Sequence, residues 1–250
     1  MLEFRAIDGF ALAWLLACWI GYTYLSAYRS RATASLVGAM RQYRREWFTR
    51  VLQREHRIAD VAALNSLLTG ATFFASTSIL ILGGLVAMLG ATNRVSEVVA
   101  ELPYALAETE PLARIKTVLL IGMFVYAFFK FTWSIRQYHF CTILVGAAPV
   151  RQPYQPHRDY VETLTRVSSH AAQDFNQGLR TFYFALAALA WFFHPWLSVC
   201  GSAVVVYVLY QREFRSQTLN ALATLQAPGL AHEESPHAPS GGPSANASSA

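Results

Sequence analysis

The sequence predicts an all-α integral membrane protein: a four-helix bundle with amphipathic helices at the interface or in the cytoplasm. Three observations predict it. Hydrophobic residues make up 54% of the 250 and charged residues only 14%, whereas a soluble domain carries about 25% charged residues. The apolar residues fall into four blocks, at about 8–28, 64–90, 116–138 and 182–210. Each reaches the roughly 20 residues that cross a hydrocarbon core of about 30 Å. The arginines, finally, are gathered into the connections between blocks one and two and between blocks three and four.

The first block contains "GFALAWLLACWIGYTYLSAY". Arg5 before it is offset by Glu3 and Asp8, and the Ala11-x-Ala13 pattern lies inside the apolar run rather than after it. A cleaved leader has the opposite arrangement, so the block reads as a retained membrane helix.

Residues 36–62 follow, with an apolar stripe of Leu36, Met40, Tyr43, Trp47, Val51, Ile58 and Ala62 at helical spacing. Arg41, Arg44, Arg45 and Arg50 largely avoid that stripe, and Glu46 stands four residues before Arg50 as a favourable pair. A basic amphipathic helix with a tryptophan predicts contact with anionic headgroups or a partner through Arg41, Arg44, Arg45, Arg50 and Trp47. It is equally compatible with a cytoplasmic extension of the second membrane helix.

The second block carries Asn65, Thr69, Thr72, Ser76, Gly83 and Gly90 on one face. The third has Met123, Tyr126, Lys130, Ser134, Gln137 and Cys141 at intervals of three and four, with Phe124, Phe128, Phe131 and Ile135 on the lipid-suited side. Two such seams predict a facing pair of helices with a polar bundle interior at Lys130, Ser134, Gln137, Asn65, Thr72 and Ser76. Lys130 lies about eight residues from the block's end, roughly 12 Å deep. It therefore either leans to the interface or is paired or hydrated inside the bundle.

Residues 159–180 predict another helix, with Val161, Leu164, Val167, Ala171, Phe175 and Leu179 inward. Asp159 and Glu162 resemble a capping box. His170 and Asp174, one turn apart, form a candidate interfacial polar pair, too few to make a metal site. In the fourth block "WFFHPW" places Pro195 beside His194 and predicts a kink in a continuous helix. Residues 1–226 thus form the membrane domain. The Pro-, Gly- and Ser-rich residues 227–250 predict a disordered tail.

The positive-inside rule puts Arg29, Arg31, Arg41, Arg44, Arg45, Arg50, Arg54 and Arg57, and Arg151, Arg158, Arg166 and Arg180, in the cytoplasm. Both termini and the acidic loop with Glu97, Glu101, Glu108 and Glu110 are then outside. Cys18, Cys141 and Cys200 make no Cys-x-x-Cys pair, so they read as small apolar fillers rather than zinc ligands. Nothing calls for nucleic acid, a metal or a cofactor.

Several stretches, "YRREWFTRVLQREHRIAD", "ATFFASTSILILGG", "YAFFKFTWSIRQYHFCTILVGAAP", "HAAQDFNQGLRTFYFALAALAWF" and "VLYQREFRSQ", together resemble an integral membrane family of bacteria and plants, domain of unknown function 599. The resemblance covers roughly residues 36–219. It implies a multi-pass membrane protein and no established activity, ligand or catalytic residue. "RQYHFC" departs from the family pattern at His139 and Phe140, where Asn and Tyr are expected.

Three function classes follow. The first is a structural or interaction component of the bacterial inner membrane with an Arg-rich cytoplasmic face. The second is a small transporter or channel component using the seams around Lys130; four helices enclose little space, so it would be a homo-oligomer. The third is a membrane-embedded enzyme using His170 and Asp174. The chain contains no Gly-rich phosphate loop, His-Glu-x-x-His or Gly-x-Ser-x-Gly.

Overall fold

The structure, a computed structural model, describes residues 6–32, 36–90, 110–148 and 156–215. The acidic loop around Glu97, Glu101 and Glu108 and the tail at 227–250 lie outside the described residues. Every described element is helical: α1 (Ala6–Ala32), α2 (Leu36–Gln53), α3 (Ile58–Gly90), α4 (Glu110–Ala147), α5 (Pro156–Leu189), a 3-10 turn (Ala190–Phe192) and α6 (Pro195–Phe214). Three of them, α1 over Ala6–Ser26, α3 and α4, are long and apolar enough to cross a membrane.

The organising unit is an antiparallel hairpin of α4 and α5. At 38 and 34 residues these helices extend about 57 and 51 Å. Their register can be followed from end to end. Lys116 on α4 meets the backbone carbonyl of Trp191 just beyond α5, Lys130 meets Asp174, Ser134 meets Ala171, and Tyr160 meets the carbonyl of Leu144. The helix expected over 159–180 is therefore continuous with the start of the fourth apolar block. Val161, Leu164 and Ala171 are buried as the spacing predicts, and Val167, Phe175 and Leu179 are half-buried. The capping box does not form. The helix begins at Pro156, and Glu162 turns to Arg41 on α2 at 3.2 Å.

The fourth block is not one kinked helix. After the 3-10 turn, His194 takes an extended conformation (φ −159°, ψ 137°) and Pro195 opens a new helix. Proline lacks the donor that a continuing helix would need but is well suited to a first turn. His194 Nδ1 caps α6 by accepting from the Trp196 N–H at 3.2 Å. The chain reverses here. Glu213 on α6 returns to Arg180 on α5, and a Cβ built on Gly201 would lie 3.5 Å from that of Ala187.

This reversal sets the direction of α6 relative to α1. Asp8, near the start of α1, accepts from Trp191 Nε1 at 3.0 Å, at the end of the bundle where the chain turns. Glu213 accepts from Tyr22 and Ser26, a full 14 to 18 residues further along α1. Helices α1 and α6 thus run parallel, and the two ends of the described chain lie at opposite ends of the bundle rather than together.

Helix α2 stops at Gln53 and α3 starts at Ile58, so residues 36–62 are not one helix. Phe48, Val51 and Leu52 of α2 pack with Leu64, Tyr138, Cys141, Val145, Val161 and Leu164, closing one end of the hairpin. Arg57 fastens the same end, donating to the backbone carbonyls of Val145 and Ala148 at 3.0 and 2.7 Å. It thereby serves the orphan carbonyls at the C-terminus of α4.

Candidate functional site: the polar face of α5

Helix α5 carries Gln173, Asp174, Asn176, Gln177 and Arg180 within two turns, and they build two charged centres. In the first, Asp174 Oδ1 accepts from Lys130 Nζ at 3.0 Å and Oδ2 accepts from Gln137 Nε2 at 2.6 Å. Both carboxylate oxygens are thus held, each by a different turn of α4. The Ser134 hydroxyl sits between them and donates to the Ala171 carbonyl at 2.7 Å. Lys130 also lies 5.8 Å from the centre of the Tyr126 ring, within reach of a cation–π attraction. The side chains retain modest exposure, 27% for Lys130 and 15% for Asp174.

The second centre joins α1, α5 and α6. Glu213 accepts three hydrogen bonds, from Tyr22 Oη at 3.0 Å, Ser26 Oγ at 2.8 Å and Arg180 at 2.8 Å. Arg180 also stands over the Tyr22 ring at 5.4 Å. Glu213 is 8% exposed; a buried carboxylate with three donors has its charge both paired and solvated by the protein. Arg180 lies six residues beyond Asp174, a rise of about 9 Å. Gln173, Asn176 and Gln177 line a small space beside this second centre, together with Thr23 and Ser26. A larger open-sided cavity of about 140 Å³ adjoins it, lined by Arg180, Arg212, Tyr183, Asn176 and apolar residues of α2, α5 and α6.

The structure brings together half of the polar interior read from the sequence and disperses the rest. Lys130, Ser134 and Gln137 do share a buried face, but that face meets α5, not α3. Asn65, Thr72 and Ser76 are exposed on the outer side of α3, and the Thr72 hydroxyl returns to the Leu68 carbonyl at 3.0 Å. The side expected to suit lipid is partly core. Phe131 is fully buried and Phe124 nearly so, in a cluster of rings with Phe74, Phe175 and Phe182. A bare backbone makes that cluster possible, since a Cβ on Gly178 would stand 2.7 Å from the Phe131 ring.

The pair His170 and Asp174 is not formed: Asp174 is held by α4, while His170 is exposed. Trp47 is half-buried. Its Nε1 donates to Asp60 Oδ1 at 2.8 Å, and Arg54 binds the same oxygen at 2.7 Å. Arg44 is half-buried against Tyr138 and Cys141; burial holds its guanidinium below its ordinary pKa, and those two groups act in the opposite direction. Arg41, Arg45 and Arg50 remain exposed, Arg50 in the expected pair with Glu46 at 2.7 Å.

Sequence reasoning missed Glu213, Tyr22 and Ser26, and also the pin formed by Asp8, Trp191 and Lys116. A signal existed. Tyr22 and Ser26 are four apart in the second half of a mainly apolar helix, and Glu213 is a lone acid between Arg212 and Arg215. What was lacking was the reversal at 191–195 that carries Glu213 back to them.

The comparisons with known proteins agree with the resemblance seen in the sequence. The model of the family described as "Protein of unknown function, DUF599" matches residues 10–218, a span that includes both charged centres. No curated protein and no solved structure matches the chain. With most of its length inside that match, the chain belongs to the DUF599 family.

Proposed function

We propose that this is a multi-pass protein of the bacterial inner membrane that acts as a structural or interaction component through an arginine-rich cytoplasmic end. The observation that carries this reading is the division of labour on α2. Its apolar side chains Phe48, Val51 and Leu52 are spent inside the protein, which leaves Arg41, Arg45 and Arg50 exposed at the end opposite the 191–195 turn. Under the positive-inside rule that end is cytoplasmic. Helices α1, α3, α4, the last part of α5 and α6 then cross the membrane, with the start of α1 outside and the end of α6 inside. The charged centres on α5 serve this reading as interhelical fastenings, since each cation there has an acidic partner.

The test has two parts. Cysteine placed at Arg45 should resist impermeant reagents in intact cells, while cysteine at His194 should react; the reverse pattern contradicts the orientation. In neutral-lipid nanodiscs, the protein should tether vesicles containing phosphatidylglycerol in a salt-sensitive way. Replacing Arg41, Arg45 and Arg50 with Gln should abolish the tethering, and unchanged tethering contradicts the interaction role.

A transporter or channel role is the second reading, favoured by the polar run of Gln173, Asp174, Asn176 and Gln177 on α5, which precedes Arg180 and carries the acid of the first ion pair. It predicts that Lys130→Met stops an ion or solute flux in proteoliposomes. A flux that survives this substitution rules it out.

A further inference from the structure

We propose that the open-sided cavity between α2, α5 and α6 is a binding site for the headgroup of an anionic phospholipid. Its polar wall holds Arg180, Arg212, Tyr183, Asn176 and the acid Glu213, and its volume is about 140 Å³. The charges do not cancel. Arg180 is committed to Glu213 at 2.8 Å, whereas Arg212, among the described residues, reaches only the Tyr183 hydroxyl at 3.3 Å. The cavity therefore carries one cation in excess, with a planar guanidinium free to take a phosphate oxygen pair.

The remaining wall is apolar, formed by Leu36, Val37, Leu179 and Leu209. A free phosphate has no use for that surface, but a lipid does, because its acyl chains must leave the headgroup along something apolar. Position agrees with chemistry. Leu36 begins α2 and Arg212 lies in the last turn of α6, so the cavity lies toward the arginine-rich end, where basic pockets between helices take anionic headgroups. The site is separate from the exposed arginines of α2 and does not depend on their role.

The test uses the full chain purified in mild detergent, with bound lipid counted by native mass spectrometry. Phosphatidylglycerol should be retained and phosphatidylcholine should not. Arg212→Gln should lower phosphatidylglycerol retention about tenfold, which is roughly 1.4 kcal/mol, while Arg166→Gln at an exposed position of α5 leaves it unchanged. Leu36→Trp, which fills the cavity, should lower retention as well. Equal retention of the two lipids overturns the proposal, as does full retention by both cavity variants. Displacement of phosphatidylglycerol by an equal concentration of inorganic phosphate overturns it too, since the cavity would then take a free anion.

Discussion

Helices α3 and α5 are nearly equal in length, 33 and 34 residues, and both carry a polar stripe, yet they use it in opposite ways. The stripe of α3 (Asn65, Thr69, Thr72, Ser76) points away from the protein. The hydroxyls of Thr69 and Thr72 bond to carbonyls one turn back on their own helix, at 2.8 and 3.0 Å. The polar residues of α5 cross to other helices, Asp174 to α4 and Arg180 to α6. The physical difference is self-sufficiency. A Ser or Thr in a helix satisfies itself through its own i−4 carbonyl, so its presence does not say which way it faces. A carboxylate or guanidinium has no such local remedy in an apolar setting and must find a partner of opposite charge.

The contrast can be broken most forcefully at Glu213. Glu213→Leu leaves Arg180 buried without its acid and removes the acceptor of Tyr22 and Ser26. The expected loss is about 3–5 kcal/mol of stability, the usual consequence of breaking a buried pair from one side. Reversible unfolding in mixed micelles would register it. The Arg180→Leu, Glu213→Leu double variant should recover part of that loss, and a double variant no better than the single one would remove the ion pair as the cause.

Asp174→Leu should cost somewhat less, because Lys130 retains 27% side-chain exposure and can lean its amine outward. Adding Lys130→Met should restore most of the stability. Additive losses in this cycle would mean that the two groups do not interact.

Gly178→Ala tests the packing behind the charged face. The new methyl meets the fully buried Phe131 ring, and overpacking of this kind costs about 1–3 kcal/mol. Phe131→Leu in the same chain should relieve the crowding, and a failure of that rescue would place the glycine's role elsewhere. The smallest effects belong to α3. Thr72→Val and Ser76→Ala should each stay within about 0.5 kcal/mol of the parent. A loss above 2 kcal/mol at either position would show that the outer face of α3 is covered after all.

How much of this was legible follows the same division. The all-helical class, the apolar stretches of α1, α3 and α4, and the shared face of Lys130, Ser134 and Gln137 are all written in local periodicity. The choice of α5 over α3 as the partner of that face was not, because Thr72 and Ser76 look like partners until both are seen to be exposed, with Thr72 bonded to its own backbone. Trp47 was read as a headgroup or partner contact from its amphipathic helix; the hydrogen bond of its indole to Asp60, thirteen residues on, was not legible in that pattern. The reversal at 191–195 was legible as Pro195 but read as a kink. A proline in an apolar run is compatible with both outcomes, and only the long-range partners of Asp8 and Glu213 decide between them.

That reversal is the claim on which the second charged centre and the placement of the chain's ends rest, and cysteine cross-linking tests it directly. Ala187→Cys and Gly201→Cys, in a chain with Cys18, Cys141 and Cys200 replaced by Ser, place two thiols on Cβ atoms about 3.5 Å apart, within disulfide range. The account predicts a cross-link on mild oxidation in native membranes. If α5 instead continued through Pro195 as one bent helix, these positions would stand fourteen residues apart, about 21 Å along the axis. No intramolecular disulfide would then form.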